Sequence, residues 1–327
     1  MSSSWFEHAK DASSHKRAAS EAIAQSEQRR RNNRPAPPPS GSRAESGITS
    51  AMFDWMVEDD LAKWKSRDPY KLKFYASQLY DLCPRQWALL MRLKREIVHD
   101  RNTPNDLLTF GIGHAYHDLF QNNLWAFSGL LHGDWEHRVT GEIHVGTCPD
   151  RSGHWRYKER RVTLPVPGLP NTEDWSIIGK IDADFSPDLG DLKSCSPKIY
   201  DWLDRGYSRL DDIEDWFEIM GEDCGWSDAY ARKHTFQLTI YLYAADRERG
   251  WCMYVPKAKA RSPQPPIKEF LVPKRPLILE AAHRKVEQSF RAWNGGDWEG
   301  PLPDMPCKSI SCKLAQDCPV ASECFKA

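Results

Sequence analysis

Gly179-Lys180-Ile181-Asp182-Ala183-Asp184, followed shortly by Asp191-Leu192-Lys193-Ser194, is the stretch on which the reading of this chain turns. Each segment belongs to an apolar run of β character, Ile177 to Phe185 and Leu189 to Ser194. Ser186-Pro187-Asp188 between them is a turn signal, so the pair predicts a β-hairpin. Side chains alternate along a strand with period two, which puts Asp191 and Lys193 on one face. Asp182 and Asp191 are then candidates for a shared divalent cation. A cation with a lysine beside it supplies what phosphodiester hydrolysis requires: a Lewis acid, an activated water and positive charge near the scissile phosphate. A solvated hairpin has the same spacing, so the rest of the chain has to decide.

Upstream, Ser77 to Arg95 predicts a helix kinked or broken at Pro84. Leu107 to Trp125 predicts a second helix, followed by β runs at Val139 to Val145 and Trp155 to Val166. Residues 197 to 226 are acidic and Trp-rich, and predict either an insertion over a cleft or a peripheral helix. Ala229 to Arg249 predicts a strong helix, Trp251 to Val255 and Ile267 to Val272 strands, and Leu277 to Trp293 a helix stopped by Gly295-Gly296. Helix, strands, helix, strands implies a mixed α/β core with flanking helices.

The 327 residues, 40% of them apolar, allow one large domain or two small ones. Residues 1 to 48, with Arg29-Arg30-Arg31 and the Pro-rich run Pro35 to Ser42, predict a disordered Ser/Arg/Pro-rich tail. A single ordered domain is expected over 49–327. The net charge of −1 means that any nucleic-acid contact must be a local patch. Arg156, Lys158, Arg160 and Arg161 form one candidate, and Lys257, Lys259 and Arg261 another; each alone is more simply a solvated face. No apolar run is long enough to cross a bilayer, and the amino terminus lacks a secretory apolar core, so a cytoplasmic protein with no membrane partner is expected. No Gly-x-x-x-x-Gly-Lys-Ser/Thr phosphate loop occurs, so a helicase or recombination partner would be a separate protein. Among the 14 tryptophans, Trp202, Trp216 and Trp226 are candidate base-stacking platforms.

Two further patterns flank the hairpin. Gly113 and His117 are one helical turn apart on one face, where the glycine admits a close neighbour and the imidazole can ligate a metal. A lone helical histidine is more commonly a plain polar position. Gln237 and Tyr241 share a face of the late helix and offer hydrogen bonds to a phosphate or to the lysine.

Nine cysteines in a cytosolic chain are not expected to pair as disulfides. Cys83, in Cys83-Pro84-Arg85, and the tail cysteines Cys307, Cys312, Cys318 and Cys324 suggest a soft-metal site. Cys148, Cys195, Cys224 and Cys252 are scattered and read as small buried hydrophobes. Four thiolates suit Zn²⁺ and an iron–sulfur cluster alike.

In order along the chain, Gly113-x-x-x-His117, Gly179-x-x-Asp182, Asp191-x-Lys193-Ser194 and Gln237-x-x-x-Tyr241 resemble the motifs of the PD-(D/E)XK nuclease superfamily, RecB-type branch. Cys83-Pro84-Arg85 far upstream and Cys318-Pro319 to Cys324 near the end are similar to the iron–sulfur subset of that branch. That subset includes the AddB nuclease domain and CRISPR-associated adaptation nucleases. The resemblance covers about residues 75 to 327. It implies an α/β fold with a restriction-endonuclease-like core, a central mixed β-sheet flanked by helices, and amino- and carboxyl-terminal regions stapled by the cluster.

It further implies that His117, Asp182, Asp191 and the Leu192 carbonyl bind Mg²⁺ or Mn²⁺. Lys193 would orient or deprotonate water or stabilise charge at the phosphate, with Gln237 and Tyr241 positioning it or the DNA backbone. Cys83, Cys312, Cys318 and Cys324 would hold a [4Fe–4S] cluster, with Cys307 competing with Cys312 and Zn²⁺ as the alternative. The expected activity is a metal-dependent DNA exonuclease. It would act on single strands or DNA ends in recombination, repair, phage DNA metabolism or CRISPR adaptation, within a prokaryotic cell or a phage-infected host. The alternatives are a catalytically inactive DNA-binding module of the same fold, and a zinc or redox structural protein.

Overall fold

The computed structural model describes residues 47–65, 73–93, 103–216, 226–258, 266–307, 315 and 318–326. Most of the tail predicted to be disordered, as well as Cys224 and Cys312, lies outside them. Helix α1 (Gly47–Lys65) comes first, then the two-residue strand β1 (Phe74–Tyr75) and a single helical turn, α2 (Ala76–Leu79). The expected break at Pro84 is a full restart. Helix α3 (Pro84–Arg92) carries the proline at its first position, where the missing N–H costs nothing, and Cys83 is its N-cap, Sγ accepting from the Gln86 amide.

Helix α4 (Pro104–Leu119) opens with a capping box, Thr103 and Asp106 exchanging side-chain and backbone hydrogen bonds. It runs through a π-helical turn (Phe120–Leu124) into α5 (Trp125–Ser128). The strand expected at Val139 to Val145 is instead a hairpin, β2 (His132–His137) and β3 (Ile143–Thr147), with the turn inside the predicted run. Exposed Val139 and Val145 imitated a buried strand.

The remaining expected β runs appear, two of them interrupted. Trp155 to Val166 is β4 (Trp155–Lys158) and β5 (Arg160–Pro165), broken at Glu159. Ile177 to Phe185 is β6 (Ser176–Ile181) and β7 (Ala183–Asp184), broken at Asp182. The predicted hairpin joins β7 to β8 (Leu189–Cys195) in antiparallel register. The acidic segment after it begins as α6 (Pro197–Tyr207), capped by Ser196 and buried through Ile199, Tyr200 and Leu203. Then follow α7 (Trp226–Ala244), β9 (Arg249–Pro256), β10 (Lys268–Pro273), α8 (Pro276–Trp293) and the short α9 (Ala321–Cys324).

The strands form two sheets. One is β1-β6-β5; the other runs β10-β9-β8-β7-β2-β3, with β4 also paired to β2. Both are mixed: β8 and β9 are parallel while β9 and β10 are antiparallel, and β6 has a parallel and an antiparallel neighbour. Helices α7 and α8 cover one side through Phe236, Leu238, Leu242, Ile278, Ala282 and Val286. The α4–α5 helix covers another part with Phe120 and Trp125, against Leu131, Trp135, Leu192 and Met253. The protein is therefore a mixed α/β fold with a central mixed sheet flanked by helices, consistent with a restriction-endonuclease-like core.

Candidate active site

The two interrupted strands meet at the junction of the sheets. Chain segments β4–β5 and β6–β7 each pass from one sheet to the other, and the residue at each crossing is a carboxylate: Glu159 and Asp182. Arg160 pairs with Ile181 in the antiparallel register, so the next position outward sets Glu159 opposite Asp182. Like charges directly opposite are destabilising, and a cation between them would remove that cost. Helix α4 brings the third group. His117 Nδ1 is 3.9 Å from Asp182 Oδ1. His117, Glu159 and Asp182 each offer a ligand atom, all within 4.8 Å of one another.

Asp191 and Lys193 adjoin this group from β8. Asp191 is fully buried. Its Oδ1 accepts from Lys193 Nζ at 2.7 Å and from Gln237 Nε2 at 3.4 Å. Its Oδ2 is buried with no hydrogen-bond partner. Lys193 Nζ stands 3.8 Å from Asp182 Oδ2, which also accepts from the Leu192 amide at 2.9 Å. A carboxylate oxygen left bare beside a His/Glu/Asp group fits a bound cation, because an unpartnered buried acceptor is otherwise costly. Oxygen donors with one imidazole are a donor set that Mg²⁺ or Mn²⁺ accepts.

Shape complementarity between motifs holds these groups in place. A Cβ on Gly179 would lie 2.3 Å from Tyr241 Cε1, so the tyrosine ring rests directly on the glycine. A Cβ on Gly113 would come within 3.2 Å of Ser194 Oγ. Each glycine thus lets one motif seat against another. Gln237 Nε2 also lies 2.8 Å from Tyr241 Oη, which ties the late-helix pair to Asp191.

Electrostatics follow from burial and these neighbours. Burial drives the Asp182 carboxyl well above the usual range; Lys193 opposes that, and Asp191 and Glu159 reinforce it. Burial penalises the Lys193 ammonium, but the Asp191 and Asp182 charges outweigh it and hold its pKa above that of an ordinary lysine. With no ion at the carboxylates, a lysine so held carries its positive charge. Burial and Lys193 lower the His117 pKa, which favours the neutral, ligating imidazole.

Two contributors escaped the sequence reading. Glu159 sits within a run of basic residues and showed itself only once the register set it against Asp182. Gln121 comes from the π turn, a device that re-aims side chains inside a helix. Its amide nitrogen donates to the Asp182 carbonyl at 2.7 Å and to Glu159 Oε1 at 3.3 Å. Neighbouring Asn122 accepts from the Tyr157 amide at 2.7 Å and anchors β4. Candidate Trp216 is core, only 2% exposed, so it cannot stack a base; Trp202 is exposed, with Lys198 over its ring. Asp184 is held by Arg247 and Arg160, and His114 is exposed.

The thiols gather elsewhere, where α3 meets α9. Cys324 packs with Leu89, Leu90 and Val320, and Cys318 lies against them. Arg85, of the Cys-Pro-Arg motif, donates to Cys324 Sγ at 3.2 Å and to the Pro303 and Cys324 carbonyls. Burial pushes the Cys83 thiol up to about 11; the Gln86 amide opposes this, while nearby Cys318 and Cys324 add to it. Cys307 is half-buried, and Cys195 and Cys252 are buried as expected of small hydrophobes. The donor set of Cys83, Cys318 and Cys324 suits a soft metal, and N–H donors already face two of its sulfurs.

The fold and the junction define a mixed α/β protein with a His/Glu/Asp group that could hold a metal ion. Among the described residues, no helix is long and apolar enough to cross a membrane. No protein family and no curated protein matches the chain. Among solved structures, that of SSO0001 is similar with a TM-score of 0.42 and 16% identity, covering 82% of this chain and 96% of that one. A phage-related exonuclease from Haemophilus somnus 129PT is similar with a TM-score of 0.26 and 10% identity, covering 66% of this chain and 91% of that one.

Proposed function

We propose that this chain is a metal-dependent deoxyribonuclease of the PD-(D/E)XK superfamily, RecB-type, that degrades DNA from single-stranded ends. The observation that carries this reading is the bare, buried Asp191 Oδ2 beside His117, Glu159 and Asp182, with Lys193 between the two aspartates. His117, Asp182, Asp191 and the Leu192 carbonyl would hold Mg²⁺ or Mn²⁺, joined by Glu159. When bound, the cation would supply Lewis acidity and lower the pKa of its water, so that hydroxide is available near neutral pH once the proton passes to solvent. Lys193, kept charged by two carboxylates, offsets negative charge growing on the phosphate. Gln237 orients Asp191, and Tyr241 fixes Gln237 from the Gly179 side. Cys83, Cys318, Cys324 and a fourth tail cysteine, Cys312, would carry a [4Fe–4S] cluster that ties the carboxyl-terminal tail to α3.

The test is degradation of end-labelled linear and circular single-stranded DNA with Mn²⁺. The expected result is loss of the linear strand, an intact circle, and about 10³-fold slower cleavage in Asp191→Ala and Lys193→Ala. Binding without cleavage by the wild-type chain would make it an inactive module of the same fold. Neither binding nor cleavage would overturn the reading.

A further inference from the structure

A cleft of about 440 Å³ opens beside Asp182, over the small sheet rather than over the thiol region. Its lining includes Lys73, Tyr75, Arg161, Glu173 and Lys180. Strand register explains the arrangement. Lys180 and Ile178 alternate along β6 and so share one face, and Asp182, just past the end of that strand, lines the same cleft. Across the pairing, Glu159 stands opposite Asp182, Arg161 opposite Lys180, and Tyr75 beside Ile178 on the other edge. Moving away from the carboxylates, the face therefore presents an anionic row, then a cationic row, then an aromatic residue. Successive rows are about 6.8 Å apart, close to the step between phosphates of an extended nucleic-acid strand.

Arg161 and Lys180 are directly opposite and both well exposed, at 58% and 69%. Two cations in that relation repel each other, and an anion between them would relieve it. Glu173 partly serves that purpose: it takes Arg161 at 2.7 Å and Lys73 at 2.9 Å, from outside the β6 row. Lys180 reaches only to 3.9 Å from Glu159. Tyr75 is 41% exposed, unlike the fully buried Phe74 next to it.

We propose that this face is the binding track for the nucleotide next to the scissile bond of a single DNA strand. Its phosphate lies between Arg161 and Lys180, its base stacks on Tyr75, and Glu173 is the carboxylate the phosphate displaces. The inference rests on the nuclease reading and adds to it where the uncleaved part of the strand runs. It also predicts a single-strand preference. The track is a sheet face with one aromatic step, and stacking on it requires an unpaired base.

The experiment measures binding of a fluorescently labelled oligodeoxythymidylate to the full chain in Ca²⁺ at several salt concentrations, with duplex and oligouridylate arms. Cleavage in Mn²⁺ is followed in parallel. The expected result for Arg161→Gln/Lys180→Gln is a salt slope shallower by about 0.7 per cation removed. Tyr75→Ala should bind roughly tenfold more weakly with its salt slope unchanged, and Glu173→Gln should bind more tightly. In each case KM should move with binding while kcat stays within a few-fold. Duplex should bind less well than the single strand, and Tyr75→Ala should not alter duplex binding. Wild-type affinity and slope in the double variant, with cleavage intact, would overturn the track and leave the nuclease reading standing. Equal binding of all variants to duplex and single strand would likewise remove the track alone. A wild-type chain that neither binds nor cuts would remove both.

Discussion

The carboxylate junction and the thiol region are both candidate metal centres, and they are assembled in different ways. At the junction, each group stands on, or at a break between, helices and strands whose placement is fixed by a neighbour: Gly113 against Ser194, Gly179 against Tyr241, Gln121 against the Asp182 carbonyl. The charges there are only partly matched: Lys193 faces both aspartates, while Glu159 opposes Asp182 and Asp191 Oδ2 has no hydrogen-bond partner. In the thiol region, Cys83 caps a helix while Cys318 and Cys324 lie on a tail with one helical turn. What joins them is Arg85, its guanidinium spanning from Cys324 to Pro303, and a small apolar contact around Val320. The junction is held by the fold; the tail is held by the thiol region. A metal should therefore be needed for chemistry at the first and for stability at the second.

The largest expected effect tests that division. On the proposed cluster reading, Cys83→Ala should lose bound metal and colour and cost about 3 kcal/mol or more of stability, because the binding free energy of a structural metal is folding free energy. Arg85→Ala keeps every thiol and should cost less, while making the metal easier to remove with a chelator. Asp191→Ala should abolish cleavage while leaving iron content close to wild type. Iron analysis, visible absorbance and thermal unfolding decide it. A Cys83→Ala protein as stable as wild type would erase the distinction between the two regions.

A smaller effect probes how the junction is held. Gly179→Ala puts a methyl where the Tyr241 ring already sits. Overpacking of this kind costs roughly 1–3 kcal/mol. The ring must retreat, and with it Gln237 and its contact to Asp191. We expect a fall in both melting temperature and kcat, and partial recovery of melting temperature but not of kcat in Gly179→Ala/Tyr241→Ala, where the clash is gone and Gln237 has lost its tether. No recovery of melting temperature would mean that the glycine serves something other than the tyrosine.

These contacts also indicate what a sequence can reveal. The motif residues were legible because each pair lies within one element, where periods of two and four fix the face: Asp191 with Lys193, Gly113 with His117, Gln237 with Tyr241. The two crossings were not. Trp155 to Val166 and Ile177 to Phe185 read as unbroken strands because Glu159 and Asp182 interrupt them without a glycine or proline. Only the pairing of Arg160 with Ile181 brings the two carboxylates together. Gln121 was hidden for another reason: a π turn shifts the helical phase, and counting by 3.6 residues aims it elsewhere. The β2–β3 hairpin was misplaced because exposed Val139 and Val145 carry the composition of a buried strand.

The smallest effect concerns the helix behind the junction. His234, on α7, is buried, with Nδ1 2.8 Å from Tyr254 Oη. Burial, then Lys193 and Lys233, lower its pKa well below 6.5. The folded chain therefore keeps this imidazole neutral at pH values where the unfolded chain protonates it. Below pH 6.5 the unfolded state binds more protons, so stability falls as the pH falls. A single such group contributes a loss of about 2 kcal/mol between pH 7.5 and pH 5. His234→Gln keeps a partner for Tyr254 but does not titrate. It should be less stable than wild type at pH 7.5, and the gap should close by about that amount at pH 5. Urea unfolding at the two pH values measures it. A gap between His234→Gln and wild type that stays constant with pH would show that His234 is protonated in the folded state despite its burial.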